Sequence, residues 1–336
     1  MGKQSEIAGT YEMGAESEIG IIRHPKSKGP AHINIEVTND CNLHCVMCPG
    51  RRMPRPVGYM KMAIYQKICD EAIRIGTRSF LLYLSGEPLL HPELPQMIKY
   101  AKEAGLDFVG LSTNATLLTE EKARQLLGSG IDRLTISLDG VNKETYESLR
   151  IGAKFDQVIK NVQGLLKVRQ ELVAGTHIEL QIIKMKETVA EIPDFIRKWR
   201  ARLDVAHGDT IRIQYFDTWA GQVKDRSAYL PMVIDGQEID QLPYIKYVDT
   251  LGFETKQKRP CGRLRHALDI YWNGDVVLCC RDLLGKSIFG NVDKEGIMGV
   301  WEGSRRQEIL EADLSGDYSR IPLCANCRER HFYPYP

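Results

Sequence analysis

Six times along this chain an apolar run ends in a cluster of polar residues, and an amphipathic stretch separates each run from the next. That alternation limits the fold more than any other feature. The apolar runs are Ala31 to Val37, Phe80 to Leu84, Phe108 to Ser112, Arg133 to Leu138, His177 to Lys184 and Thr210 to Phe216. The first, AHINIEV, alternates apolar and polar residues as a half-buried strand does. Helices are predicted between the runs, near Ala63 to Gly76, Glu93 to Ala104, Thr119 to Ser129, Phe155 to Ala174 and Glu191 to Arg202. Repeated β-then-α steps predict a parallel sheet with right-handed crossovers. Periodicity leaves open whether that sheet forms a partial barrel or stays flat. Both architectures put their sites at the carboxyl ends of the strands.

Those ends carry the candidate chemistry. Cys41-Asn-Leu-His-Cys45-Val-Met-Cys48 follows the first run and Ser85-Gly86-Glu87-Pro88 the second. Thr113-Asn114 follows the third, and Ser137-Leu-Asp139-Gly140 ends the fourth. A second cysteine group lies in the last quarter: Cys261, Cys279, Cys280, Cys324 and Cys327. Three closely spaced thiolates can ligate three irons of a four-iron cluster, leaving the fourth open to another ligand; four thiolates can close a cluster. The chain has nine cysteines and no secretory signal, so their clustering argues for metal rather than disulfides. Spacing alone still admits a zinc knuckle at the front and a four-cysteine structural zinc at the back.

Charged residues make up 26% and hydrophobic residues 43% of 336, and the formal net charge is +1, which argues against bulk binding to nucleic acid or an anionic membrane. No apolar run spans a bilayer, so a cytoplasmic protein is expected. Residues 1–30 read as a loose arm, 31–216 as the repeating α/β unit, 217–260 as a polar connector and 261–336 as a small cysteine-rich domain. In that last part Asn273-Gly274 sits between two apolar runs and predicts a hairpin, with a helix near Val300 to Ala312. So small a unit would need metal cross-links in place of a large core.

The front cysteine run, placed after a first strand and followed by Ser85-Gly86-Glu87-Pro88 after a second, resembles the signature of the radical S-adenosylmethionine (radical SAM) superfamily. The family commonly has Gly-Gly-Glu-Pro where this chain has Ser85 first, and a ring-bearing residue where this chain has Met47. Ser112-Thr-Asn114 also fits that family, Ser137 and Asp139 fall where it usually holds the ribose and carboxylate of SAM, and Gln181, at the end of the fifth run, is a candidate contact to SAM or substrate. The resemblance spans residues 31–216 and implies a partial (β/α)6 TIM-type barrel. Cys41, Cys45 and Cys48 would then hold a [4Fe-4S] cluster. Met47, Ser85, Gly86, Glu87, Asn114, Ser137, Asp139 and Gln181 would contact SAM. The tail, with Asn273-Gly274-Asp275-Val276, Gly290-Asn291-Val292, Val300-Trp301 and Cys324-x2-Cys327, resembles the auxiliary-cluster extension called SPASM or its shorter form, Twitch. Five tail cysteines favour Twitch, with one auxiliary [4Fe-4S] cluster on Cys261, Cys279, Cys324 and Cys327. Their spacing resembles radical dehydrogenases of aminocyclitols.

The resemblance implies that reductive cleavage of SAM yields a 5′-deoxyadenosyl radical that takes hydrogen from an unactivated carbon. On a carbinol carbon of a sugar or aminocyclitol, loss of a proton and a second electron to the auxiliary cluster would give a ketone. A flavodoxin- or ferredoxin-type partner or a chemical reductant would supply the first electron. Cys280 divides this outcome from another: a thiol facing the substrate would return a hydrogen atom and invert the centre, an epimerisation. The plain alternative for Cys280 is packing or alternate ligation. A third reading is peptide modification or protein maturation, disfavoured because some thirty residues ahead of Ala31 leave no room for a leader-binding domain. A fourth, not enzymatic, is a zinc-stabilised binding module.

Other residues carry weaker signals. Cys69 falls in a helical apolar pattern and is expected in the core. His44 is expected on the loop surface. Lys184, Gln214, Tyr215 and Asp217 end strands and are candidates to border SAM or substrate. Arg51, Arg52 and Arg55 read as a solvated run, and Phe332 to Pro336 as a surface tail.

Overall fold

The computed structural model describes residues 27–227, 233–234, 237–238, 245–248, 260–325 and 327. Most of the predicted N-terminal arm, much of the connector and the aromatic tail lie outside the described residues. The βα steps run β1(His32–Ile35), α1(Met62–Ile75), β2(Ser79–Leu81), α2(Leu94–Glu103), β3(Phe108–Thr113), α3(Glu120–Gly128), β4(Arg133–Ser137), α4(Lys143–Leu149), α5(Phe155–Leu172), β5(His177–Lys184), α6(Ile192–Arg200) and β6(Thr210–Tyr215). Beyond them come β7(Val233–Ile234), β8(Gln237–Glu238), β9(Ile245–Val248), α7(Arg263–His266), β10(Ala267–Ile270), β11(Asp275–Val277), β12(Ile288–Asn291), α8(Val292–Trp301), α9(Ser304–Ser315) and α10(Pro322–Ala325).

Strands β1 to β6 pair in chain order, all parallel. This is the mixed α/β architecture of a partial (β/α)6 TIM-type barrel. The sheet continues past both ends, in the order β12-β11-β10-β1-β2-β3-β4-β5-β6-β9. On one side β9, from within the stretch read as a connector, pairs parallel with β6. On the other, β10 pairs parallel with β1, Ile33 opposite Leu268 and Ile35 opposite Ile270. The predicted hairpin β10–β11 forms as expected. By docking on β1 it also covers backbone groups that would otherwise lie on an open edge. The tail is thus hydrogen-bonded into the sheet of the front part.

Strand parity decides what each face offers. Ile33, Ile35, Phe80, Val109, Leu111, Leu134, Ile136, Ile178, Leu180, Ile182, Ile211 and Ile213 belong to one buried cluster with the apolar stripes of the helices. The opposite face carries His32 and Asn34 on β1 with Glu36 just past its end, Thr135 and Ser137 on β4, and Glu179 and Gln181 on β5. Arg212 and Gln214 follow on β6. Its polar groups are bonded: Arg212 Nε donates to Glu179 at 3.0 Å, and Asn34 Nδ2 to Asp269, the ion-pair partner of Arg263, at 2.6 Å. A polar inner face is an expensive core but a serviceable chamber for a hydrogen-bonding ligand.

The sequence pattern misses two local features. Helix α4 is seven residues long, KETYESL, too short and polar for a periodic signal; its Asn142 N-cap accepts from Thr145 N at 2.9 Å. The single helix expected near Val300 to Ala312 is two, α8 and α9, divided at Glu302–Gly303. No helix among the described residues is long and apolar enough to cross a membrane. Phe80 is fully buried under α1, edge-on to Tyr65 at 6.3 Å. Phe80→Ala should destabilise the cluster-free protein by about 3–5 kcal/mol, read as a lower urea midpoint.

Candidate active site

The front cysteine loop leaves β1 and is closed at its base by a bridge between Thr38 and Tyr59. Thr38 Oγ1 donates to Gly58 O at 2.8 Å, and Asn39 Oδ1 accepts from Gly58 N at 2.8 Å. On its far side the loop zips onto the segment after α4. His44 N donates to Ile151 O and Val46 N to Leu149 O, each at 2.9 Å. Those two bonds set Cys45 opposite Arg150. The guanidinium Nη1 lies 3.9 Å from Cys45 Sγ. The Cys48 thiol accepts from Gly50 N at 3.3 Å and caps the short helix Pro49–Arg52. His44 is exposed, as expected.

All three thiols are partly exposed and free of disulfides. Burial pushes each up from its ordinary value, Cys41 to about 12. A soft, highly charged group bound there would have to displace the protons of these thiols. Among the described residues no three His, Cys, Asp or Glu side chains gather closely enough for a single ion. Three soft donors spread along one loop, with an arginine beside one of them, suit a larger anionic group.

Ser85-Gly86-Glu87 lies against the start of that loop. A Cβ on Gly86 would stand 2.3 Å from Thr38 O and 2.6 Å from Asp40 O, so only glycine lets the two backbones meet. Glu87 N donates to Asp40 O at 2.7 Å. The Glu87 carboxylate is 2% exposed and takes Thr113 Oγ1 at 2.5 Å, Asn114 N at 2.8 Å and Leu89 N at 3.1 Å. Burial raises its pKa, and these donors oppose the rise. Asn114 Nδ2 in turn donates to Asn42 Oδ1 in the cysteine loop at 3.0 Å. The ends of β2 and β3 and the loop thus form one hydrogen-bonded unit.

Ser85 and Arg55 belong to a second unit. Arg55 binds Glu36 through both Nη atoms, at 2.9 and 2.7 Å, and donates to Ser85 Oγ at 3.2 Å. Ser85 Oγ also donates to Glu36. The guanidinium stacks on the Tyr271 ring at 3.5 Å, and its Nε reaches Leu283 O at 3.2 Å. Arg52 is exposed, as a solvated run requires. Arg55 is not: its side chain is 11% exposed against Glu36 at 0%. The sequence shows three arginines but not the buried carboxylate that one of them finds.

At the ends of β4 and β5, Ser137 and Gln181 are register partners on the inner face, both partly exposed. Asp139 is fully buried; one oxygen takes Arg150 Nε and Nη2, at 2.9 and 2.6 Å, and the other Ile183 N at 2.7 Å. Met47 is 6% exposed in a small apolar cluster with Leu149, Met185, Phe216 and Val223. Arg150 escaped the sequence reading because it ends a helix that periodicity does not reveal. Lys184 is buried at the end of β5.

In the tail, Cys324 packs with Leu264, Leu278, Ala312, Tyr318 and Ile321, and Cys261 lies against that cluster. Cys261 N donates to Asp313 at 2.7 Å. Cys327 N donates to Cys324 O at 3.3 Å. Burial raises Cys279 well above the ordinary thiol value, with Cys280 and Cys327 among the charges it senses. Cys279, Cys280 and Cys327 are partly exposed. Arg281 joins this group to the barrel: its Nη2 reaches Tyr215 Oη and the Asp217 carboxylate, both at 2.8 Å, and its Nη1 lies 3.9 Å from Cys280 Sγ. The strand-end candidates Tyr215 and Asp217 thus meet the tail. The turn that follows them touches both cysteine loops, with Trp219 Nε1 donating to Met47 O at 3.0 Å and Gln222 Nε2 to Arg281 O at 2.8 Å.

The sequence profile of the radical SAM superfamily matches residues 35–198, and that of SPASM, an iron-sulfur cluster-binding domain, matches residues 261–328. A probable GTP 3′,8-cyclase of Methanococcus maripaludis is 30% identical over 260 residues, 70% of this chain and 82% of the relative. The chain belongs to the radical SAM superfamily. Such a domain uses SAM and a [4Fe-4S] cluster, and a SPASM domain carries auxiliary iron-sulfur clusters. The cofactor-modifying protein of tungsten-containing aldehyde ferredoxin oxidoreductase from Pyrococcus furiosus is 26% identical over 331 residues, 89% of this chain and 87% of the relative. Two solved structures share the fold. BtrN in complex with AdoMet and 2-DOIA superposes with a TM-score of 0.57 at 17% identity, covering 90% of this chain and 94% of BtrN. Streptococcus suis SuiB bound to its precursor peptide SuiA has a TM-score of 0.61 at 15% identity, covering 88% and 69%.

Two expectations follow for the cluster-free protein. Arg55→Ala strands the Glu36 carboxylate in the interior and should cost about 3–5 kcal/mol, seen as a lower denaturation midpoint. Burial pushes the Cys41 and Cys69 thiols up to about 12 from 9.0. Above pH 9 the unfolded chain therefore holds fewer protons than the folded one, so stability should fall as pH rises from 9 toward 12. Cys69→Ala should flatten that slope in a series of unfolding curves.

Proposed function

We propose that this radical SAM/SPASM enzyme removes hydrogen from a carbinol carbon of a small polyhydroxylated molecule, a sugar or aminocyclitol, and oxidises it to a ketone. The observation that carries the reading is the Arg281 bridge. It ties the Cys279–Cys280 loop to the end of β6, so an auxiliary cluster held by Cys261, Cys279, Cys324 and Cys327 would lie within reach of the barrel mouth. In this reading Cys41, Cys45 and Cys48 hold the first cluster, whose chemistry with bound SAM supplies the radical that takes the hydrogen atom. Gly86 lets the Ser85–Glu87 turn approach the loop, and Glu87 fixes that turn to Asn114. Ser137 and Gln181 offer neutral hydrogen-bonding groups on the inner face, and Met47, with Phe216 and Trp219 nearby, an apolar wall for SAM. In this reading the Asp217 carboxylate, partly exposed and held by Arg281, takes the proton of the substrate hydroxyl. A ferredoxin- or flavodoxin-type reductant completes the cycle.

A second reading rests on Cys280. The residue is partly exposed, and Arg281 Nη1, which belongs to the bridge to β6, lies 3.9 Å from its Sγ. A hydrogen atom donated from that thiol would make the enzyme an epimerase of the same substrates.

The test is anaerobic reconstitution with SAM and dithionite over a panel of sugars and aminocyclitols. Oxidation predicts a ketone, one 5′-deoxyadenosine per product and no solvent deuterium at the product carbon. Cys280→Ala should keep at least a third of that turnover. An inverted alcohol carrying deuterium, lost in Cys280→Ala, would transfer the assignment to the epimerase. SAM cleavage stimulated by peptides or nucleotides but by none of the panel would remove both.

A further inference from the structure

The Asp139–Arg150 pair is larger than positioning a strand end requires. Arg150 is 8% exposed and Asp139 not at all. Holding two charges out of water is costly unless each is well partnered. Asp139 spends one oxygen on two nitrogens of Arg150 and the other on Ile183 N. Arg150 keeps its remaining nitrogen for Cys45 Sγ, at 3.9 Å. The flanking bonds, His44 to Ile151 and Val46 to Leu149, hold this pairing from both sides. Nothing in a helix terminus or loop turn calls for such a construction, and a surface ion pair would be worth little.

We infer that Arg150 is a positioning residue that sets the reduction potential of the cluster bound through Cys45, with Asp139 holding its guanidinium in place. The inference rests on Cys45 being a cluster ligand. A fixed positive charge and an N–H donor beside the ligand sulfur favour the more negative, reduced cluster and so raise its potential. Asp139 acts here through Arg150, since both its oxygens are already engaged within the protein. That assigns the pair to the electron-accepting step that precedes SAM cleavage.

The experiment is a redox titration of the fully cluster-loaded protein without SAM, followed by electron paramagnetic resonance, with the front cluster told from the auxiliary one by the change that SAM makes in its signal in a parallel sample. Arg150→Gln should load its irons and show a reduced-to-oxidised ratio about tenfold lower at a fixed potential, about 59 mV for one electron. Arg150→Lys, which keeps the charge, should recover most of the difference. Should Arg150→Gln fail to load, the double variant Asp139→Asn/Arg150→Gln removes both buried charges and should shift the ratio the same way by less. An unmoved ratio in whichever of these loads overturns the inference, even where SAM cleavage is lost, and would assign Arg150 to binding SAM. Cys45→Ala separates the underlying reading: retention of an unchanged front-cluster signal there would remove Cys45 as a ligand whatever Arg150 does.

Discussion

The buried ion pair of Arg55 with Glu36 is the contact on which the arrangement of the two cysteine loops depends. Glu36 extends β1, Arg55 sits on the return limb of the front cysteine loop, and the guanidinium also meets Tyr271 and Leu283 of the tail. Taking both charges out of water is costly, and a hydrophobic pair of similar volume could be as stable. What such a replacement would lose is direction. A planar guanidinium reads a carboxylate, a hydroxyl, a carbonyl and an aromatic face at once, and only one relative placement of barrel and tail satisfies all four. Ser85 supplies the hydroxyl of that set.

Two further arginines repeat the device nearer the thiols. Arg150 lies beside Cys45, held by Asp139, and Arg281 beside Cys280, held by Asp217 and Tyr215. Between them runs the turn after β6, where Trp219 and Ala220 have φ of 54° and 55°. Two successive non-glycine residues in the left-handed region cost on the order of 1–3 kcal/mol each. The hydrogen bonds of Trp219 to Met47 O and Gln222 to Arg281 O hold the turn there. Strain kept at a point touching both cysteine loops is what a fixed spacing between two redox centres would demand.

Much of the frame was legible because it rests on short-range pattern. Strand β5 falls where the apolar run placed it, and α3 lies within the stretch expected from Thr119 to Ser129, with Thr119 as its N-cap. The hairpin at Asn273-Gly274 follows from two residues that favour a tight turn. The front cysteines, Gly86 and Asp139 all arrive at the carboxyl edge of one sheet because parallel βα steps leave no other place for them. Less legible were residues whose role is a long-range partner. Arg55 looks like one more charge in a basic loop until Glu36, nineteen positions away, is found beneath it. Arg150 closes a helix too short to announce itself. Strand β9 lies in a polar stretch whose pairing with β6 no local signal shows.

The sequence by itself determined the repeating βα steps of the front part, the edge on which the chemistry gathers, and the two groups of thiols. These follow from periodicity and from the bonding capacity of cysteine, properties of neighbouring residues. Only the tertiary structure decided that the tail would continue the sheet through β10, that Glu87 and Asp139 would turn their carboxylates on the protein, and which arginine would face which sulfur. Those choices depend on desolvation and hydrogen-bond direction between residues far apart in the chain, and such terms exist only once the backbone has brought the partners together.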